Sequence, residues 1–270
     1  MEMTKELKFE SQWYAKRLKS MLSVDFRRML TIPLFYIMIG ISFIIPILIL
    51  VMTTMMDGTT TVDPSTGVET TIEGFKNVWQ AIATVSGENS SMSMDLTTMC
   101  NINMMYFILA VLVCIFVADD FRSGYSKNLF TVRSKKNDYV ISKSIISFIA
   151  GTCMILAYFV GAMIGGAIAG LPFDTTVGVS EIFMCLLSKI FLVAIFASIF
   201  LAMSIIGKQK LWLSLVCSLG SSILLFSMIH FITPLDSVIS NVILCLIGGI
   251  LFSIGIGAIS NIILRKKSIL

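Results

Sequence analysis

Six apolar runs divide this chain, each long enough to cross about 30 Å of hydrocarbon, and they leave little choice of fold. They are Ile32–Met56, Met99–Ala118, Ile145–Leu171, Ile182–Ile206, Leu211–Ile232 and Val238–Leu264. Inside lipid, every backbone N–H and C=O needs a partner within its own segment or in a closed barrel. None of the runs alternates with period two as a barrel strand does, so each reads as a helix. The expected fold is an all-α membrane protein with six transmembrane helices over 32–270, preceded by a separate amphipathic segment over 1–31.

Composition agrees. The 270 residues are 56% hydrophobic and only 13% charged, against about a quarter charged in a soluble domain. A net charge of +4 raises the question of nucleic acid. The basic residues are segregated by membrane side and form no continuous stripe, so nucleic acid is not an expected partner.

Of the 20 Lys and Arg, seven lie before Ile32, six lie between Asp119 and Lys143, two flank Gln209, and three follow Leu264. Basic residues collect in cytoplasmic loops. The distribution therefore predicts both termini, the 119–144 loop and the Gly207–Lys210 turn in the cytoplasm. The 57–98 loop, with six acidic residues up to Leu96 and one lysine, Lys76, falls outside.

From Leu7 to Leu30 apolar residues recur near helical spacing: Phe9, Trp13, Leu18, Leu22, Phe26 and Leu30, with Lys and Arg between them. That pattern suits a helix in the cytoplasmic interface, its aromatics at headgroup depth and its basic residues facing anionic lipid. The simpler alternative is a basic anchor that only sets topology. The charged stretch is too long for a cleavable signal peptide. Pro33 fits the first turn of the first crossing, where its missing N–H costs nothing.

In the outer loop, GTTTVDPSTGVETT reads as a turn or short hairpin. Phe75, Val78, Trp79 and Ile82 then follow at i, i+3, i+4 and i+7, predicting a short amphipathic helix on the outer leaflet. The loop is either an outer gate or substrate contact, or a solvated connector. Asn89-Ser90-Ser91 matches a glycosylation acceptor, a tripeptide common by chance. Gly161, Gly165 and Ala169, and again Gly249, Ser253 and Gly257, place small residues four apart, where another helix can approach closely.

A search for chemistry returns mostly negatives. A single histidine, His230, leaves no zinc cluster and no Ser-His-Asp set. The six cysteines are scattered without CxxC and read as small apolar residues. No GxxxxGK[ST] is present, so this chain has no P-loop of its own. No catalytic, metal or cofactor site is expected here. Acidic residues within the spans, which would mark an ion relay, are missing. Lys189 is the one internal charge. A crossing that begins at Ile182 carries it into the outer leaflet; one that begins at Ser188 sets it at the interface, and that reading is preferred because lysine also snorkels.

What then is the basic island for? Asp119 and Asp120 follow an apolar helix, where carboxylates oppose the macrodipole. They make better sense as the N-terminal cap and first turn of a new cytoplasmic helix over Asp119–Phe130. Its apolar residues Phe121, Tyr125, Leu129 and Phe130 would dock into a groove on a partner. A plain solvated loop is the alternative.

The order Asp119-Asp120-Phe121-Arg122-Ser123-Gly124, Lys127, Leu129-Phe130, Arg133 and Lys143 resembles the loop after the second helix in the membrane subunits of ABC-2 type transporters. That family often has Glu where this chain has Asp120. Arg27-Arg28-Met29-Leu30 followed by Pro33-Leu34-Phe35-Tyr36 is similar to the family's N-terminal entry. The resemblance extends through helix number and loop order over nearly the whole chain.

It implies an exporter's permease subunit in a bacterial plasma membrane, paired with a second permease, identical or homologous. ATP and Mg would be bound by separate ABC ATPase subunits. The 119–131 segment would couple to that motor through Asp119, Asp120, Phe121, Arg122, Gly124, Tyr125, Lys127, Leu129 and Arg133. The interfacial helix, with Trp13, Arg17, Phe26, Arg27 and Arg28, would be the second docking element, lying on membrane lipid. Short re-entrant elements would stand between the last two helices, at His230–Ser240. Exporters of this family move lipids, glycans, drugs or antimicrobial peptides. An ion-coupled secondary transporter and a non-transporting scaffold or sensor are the competing expectations from other classes.

Overall fold

The computed structural model describes residues 2–62, 69–71, 74–83, 100–132, 136–173, 178–207, 210–235 and 237–266. Apolar helices dominate it, in the order α1 (Glu2–Thr31), α2 (Pro33–Met56), α3 (Met105–Arg122), α4 (Tyr125–Val132), α5 (Asn137–Ala169), α6 (Val179–Gly207), α7 (Leu211–Ile232) and α8 (Ile239–Lys266). Five segments are long and apolar enough to cross a membrane: α2, a span over Ile102–Arg122 that contains α3, then α5, α6 and α8. The chain is a multi-pass helical membrane protein. The sixth expected crossing is α7, a helix over the expected residues, whose apolar stretch Leu211–Phe226 is shorter.

Two helix pairs pack most closely, α2 with α5 and α6 with α8, and α3 runs between them, touching α5, α6 and α7. α3 is the most deeply buried span and α8 the least. Leu109, Ala110, Val113, Cys114 and Val117 of α3 are all enclosed by protein. Ile243, Ile247, Ile250, Leu251 and Ile254 of α8 point outward. In a bilayer such outward apolar faces meet acyl chains as readily as protein.

Small residues set the α2–α5 seam. A Cβ on Gly161 would come within 2.2 Å of the Phe43 carbonyl oxygen, and one on Gly165 within 2.7 Å of Ile47 Cα. Pro46 lies inside α2 at this contact, where it removes one helical hydrogen bond. In the α6–α8 seam a Cβ on Gly249 would lie 3.0 Å from the Phe191 carbonyl oxygen, and Ser253 Oγ donates to the Ala194 carbonyl at 3.3 Å, whereas Gly257 faces Val140 of α5. Ala169 is half-buried at the end of α5.

Beyond α2 the chain forms an antiparallel hairpin, β1 (Thr60–Val62) with β2 (Glu69–Thr71). The apolar Phe75–Ile82 stretch is a single 3-10 turn, Val78–Ala81, capped by Asn77. It does not lie out on a leaflet as expected. Phe75, Val78, Ala81 and Ile82 are buried, and Val78 packs so closely on Gly166 that a Cβ there would meet it at 2.2 Å. The physical reason is that Gly166 leaves a flat site on α5 able to remove those side chains from both water and lipid. Asn89-Ser90-Ser91 lies outside the described residues. The connection between α7 and α8 carries no helix among its described residues, so the re-entrant elements implied by the resemblance are not seen there.

Candidate charged corner

At the end of the bundle that carries the basic island, α1, α3, α4 and α5 meet. α1 offers this corner one face, Met21, Asp25 and Met29, four residues apart and all buried. α3 ends there with Asp119, Asp120, Phe121 and Arg122, and α5 begins there with Asp138, Tyr139, Ser142 and Lys143.

Asp120 is the centre. Its carboxylate takes Arg28 Nη1 at 2.6 Å and the Tyr139 hydroxyl at 2.9 Å, and Lys143 Nζ stands 2.7 Å away. Lys143 also lies 3.1 Å from Asp25, whose other oxygen accepts from Ser142 Oγ at 2.6 Å. The lysine's approach to the two carboxylates brings charges together without aligned hydrogen bonds, since both Lys143 Nζ and Asp25 Oδ1 lack a hydrogen-bond partner. Its Nζ further sits 3.7 Å above the Phe116 ring. Asp25, Asp120 and Lys143 are fully enclosed. Charges so buried persist only when paired, and here each answers another.

The rim of the corner is more open. Arg28 also lies 3.9 Å from Asp119 and stacks 3.9 Å over the Tyr125 ring. Burial alone would lower the Arg28 pKa; Asp120 outweighs it and raises it. Burial and then the Asp25 carboxylate push the Tyr125 phenol up, against the pull of Arg28. Arg17, two turns or more before Asp25 on α1, holds Asp138 with two nitrogens, the second at 3.3 Å.

Several expectations are corrected here. Asp119 and Asp120 do not cap a new helix; they belong to the last turn of α3, which runs unbroken to Arg122. Three features make that position tolerable. Arg28 and Lys143 neutralise Asp120, Asp119 stays more than half exposed to solvent, and Arg122 places a cation in the last turn, where the dipole favours one. The separate helix is α4, which starts after Gly124. Gly124 has φ +74°, a left-handed conformation that favours glycine.

Phe121 and Asp120 are not free to enter a partner's groove. Phe121 packs edge-on to Tyr139, as does Phe130 at 5.4 Å. Arg17 and Arg28, expected to face anionic lipid, turn inward to carboxylates instead. What remains outward is a polar face: Arg122, Lys127, Asn128 and Thr131 are exposed, with Asp119 beside them, and Gly124, Tyr125 and Leu129 are half-buried. Phe26 and Arg27 of α1 are exposed too, and Trp13 lies farther along the same helix. Arg133 lies outside the described residues.

Sequence reasoning did not select Asp25, Asp138, Tyr139 or Ser142. Asp25 was legible in one respect, as an acidic residue at helical spacing from Met21 and Met29 on an otherwise basic segment. Nothing local announces its partner 118 positions on.

A second buried charge lies toward the opposite end, where α3 begins and α7 ends. Lys189 is not at an interface: α6 already begins by Val179, and the side chain is fully buried. The expected start at Ser188 fails because neighbouring helices, rather than lipid, surround this position. Its Nζ donates to Asn103 Oδ1 at 2.8 Å and Thr233 Oγ1 at 3.0 Å. Tyr106 OH donates to the Lys189 carbonyl at 2.8 Å. An ammonium only donates, so Asn103 must turn its oxygen inward, and its Nδ2 is left buried without a partner, as is that of Asn101.

No family model matches the chain, and no curated protein or solved structure does so either.

Proposed function

We propose that this chain is the permease subunit of an ATP-driven ABC-2 type exporter in a bacterial plasma membrane. It crosses the membrane six times with both termini in the cytoplasm, α7 being the fifth crossing. Two permease subunits, identical or homologous, form the translocation path, and separate ABC ATPase subunits bind ATP and Mg and drive it.

The observation that carries this reading is the charge cluster of Asp25, Arg28, Asp120 and Lys143. It ties the amphipathic helix α1 to the end of α3 and the start of α5 at the island end. A helix that merely anchored topology would need none of these buried ion pairs. Movement imposed on α4 or α1 from outside would pass through them into two long spans. Arg122, Lys127 and Asn128 on the exposed face of the corner are the proposed contact with the motor.

The test is mild-detergent purification of the tagged protein from its native membrane, with partners identified by mass spectrometry. Recovery of a P-loop ATPase, lost in an Arg122→Glu, Lys127→Glu variant that still inserts, supports the reading. Recovery of the protein alone, from crosslinked membranes as well, overturns it.

One observation favours an ion-coupled transporter instead. An ionisable group buried in a span marks an ion pathway by default, and Lys189 is such a group. Transport that continues without ATP and stops in Lys189→Met would establish that reading.

A further inference from the structure

Beside the charged corner, at the elbow between α1 and α2, lies a cavity of about 280 Å³. Its wall is apolar, with Phe35 from α2, Phe116 from α3, and Ile146 and Ala150 from α5. An apolar cavity of about 150 Å³ already admits benzene, so this one has room for a compact cage or two fused rings.

Two polar groups break the apolar wall. Asp119 lies at the rim with its side chain more than half exposed, and its nearest cation, Arg28 at 3.9 Å, is engaged more closely with Asp120. Ser147 lines the same cavity from α5, is 2% exposed, and its hydroxyl has no hydrogen-bond partner. Buried serines on α2, α6 and α7 satisfy themselves on the carbonyl four residues back, as Ser42, Ser204 and Ser222 do. Ser147 makes no such bond.

We infer that this cavity is a binding site for a small amphipathic cation, a compact apolar body carrying a primary ammonium. The wall supplies the volume, Asp119 the opposite charge, and Ser147 Oγ a further acceptor, while an ammonium offers three donors and no acceptor. An acyl chain would fill the volume but leave Ser147 Oγ without a partner and make no use of the Asp119 charge. A carboxylate or phosphate would be repelled by Asp119. The site is read by binding alone, so it stands or falls independently of any ATPase.

The test uses the full chain in lipid nanodiscs and three probes that share one apolar cage: adamantan-1-amine, adamantan-1-ol and adamantane-1-carboxylate. Binding is followed by ligand-observed NMR against empty nanodiscs. The expected order is amine, then alcohol, then carboxylate. Because Asp119 is partly solvated, the amine should lead the carboxylate by about fivefold rather than more. Asp119→Asn, a change at the rim that leaves the fold intact, should bring the amine to the level of the alcohol. Ala150→Phe fills the cavity and should abolish both. Equal binding of amine and carboxylate, or amine binding that Asp119→Asn leaves unchanged, overturns the proposal. So does saturable amine binding that persists in a folded Ala150→Phe variant.

Discussion

Asp120 and Asn103 stand on the order of 25 Å apart along one span, at about 1.5 Å per residue, and each receives a buried lysine. At the Asp120 end Lys143 meets two carboxylates, one of which also holds Arg28. At the Asn103 end Lys189 meets an amide oxygen and a hydroxyl, and no carboxylate among the described residues lies within ion-pair distance. The difference separates a network from a single charge. In the first, every member is a condition for burying the others, so α1, α3 and α5 are held as one unit. In the second, the lysine pins Thr233, just past α7, and Asn103, just before α3, yet no opposite charge depends on it.

The comparison is broken most severely at Asp120. Asp120→Ala leaves Lys143 facing only Asp25 and strips Arg28 of its nearest partner, and loss of one member of a buried pair costs about 3–5 kcal/mol. Unfolding of the purified variant in mixed micelles should show that loss, and α1 should become protease-accessible. Tyr139→Phe removes one hydrogen bond to the same carboxylate without removing charge, and should cost about 1.5 kcal/mol in the same assay. Lys189→Met sharpens the contrast, because it strands no carboxylate and replaces the ammonium by an apolar chain of similar length. It should cost about 1 kcal/mol, from the two unfilled acceptors. A loss as large as that of Asp120→Ala would mean the two ends are not different in kind. Lys127→Glu, on the exposed face of α4, should stay within about 0.5 kcal/mol of the parent while abolishing recovery of the proposed ATPase subunit.

Much of this architecture was legible from local pattern. The apolar runs became helices with boundaries shifted by up to eight residues, the most at the start of α5, and the α7 limits were met at both ends. The Thr-rich stretch after α2 became a hairpin, because turn residues between short β-prone segments are a local signal. Gly161 and Gly165 were readable as a contact face, though not that α2 would fill it.

The charged corner resisted reading for a physical reason. Two carboxylates at the end of an apolar helix look unfavourable until cations arrive from 92 and 23 residues away in sequence, at Arg28 and Lys143. Local rules therefore moved Asp119 and Asp120 onto the next helix, and with them Phe121, whose ring is in fact spent on Tyr139. Lys189 was misplaced for a related reason. A hydropathy window treats everything outside the helix as lipid, whereas Asn103 and Thr233 make this position polar and protein-lined.

The proposed coupling role of the corner is tested most directly by photocrosslinking in native membranes. A photoreactive residue is placed at 127, on the exposed face of α4, and in a parallel sample at 216, an exposed position on the apolar face of α7. The account predicts a crosslink from 127 to a P-loop ATPase and none from 216. Failure of 127 to capture such a subunit, or capture of the same subunit from both positions, would contradict it.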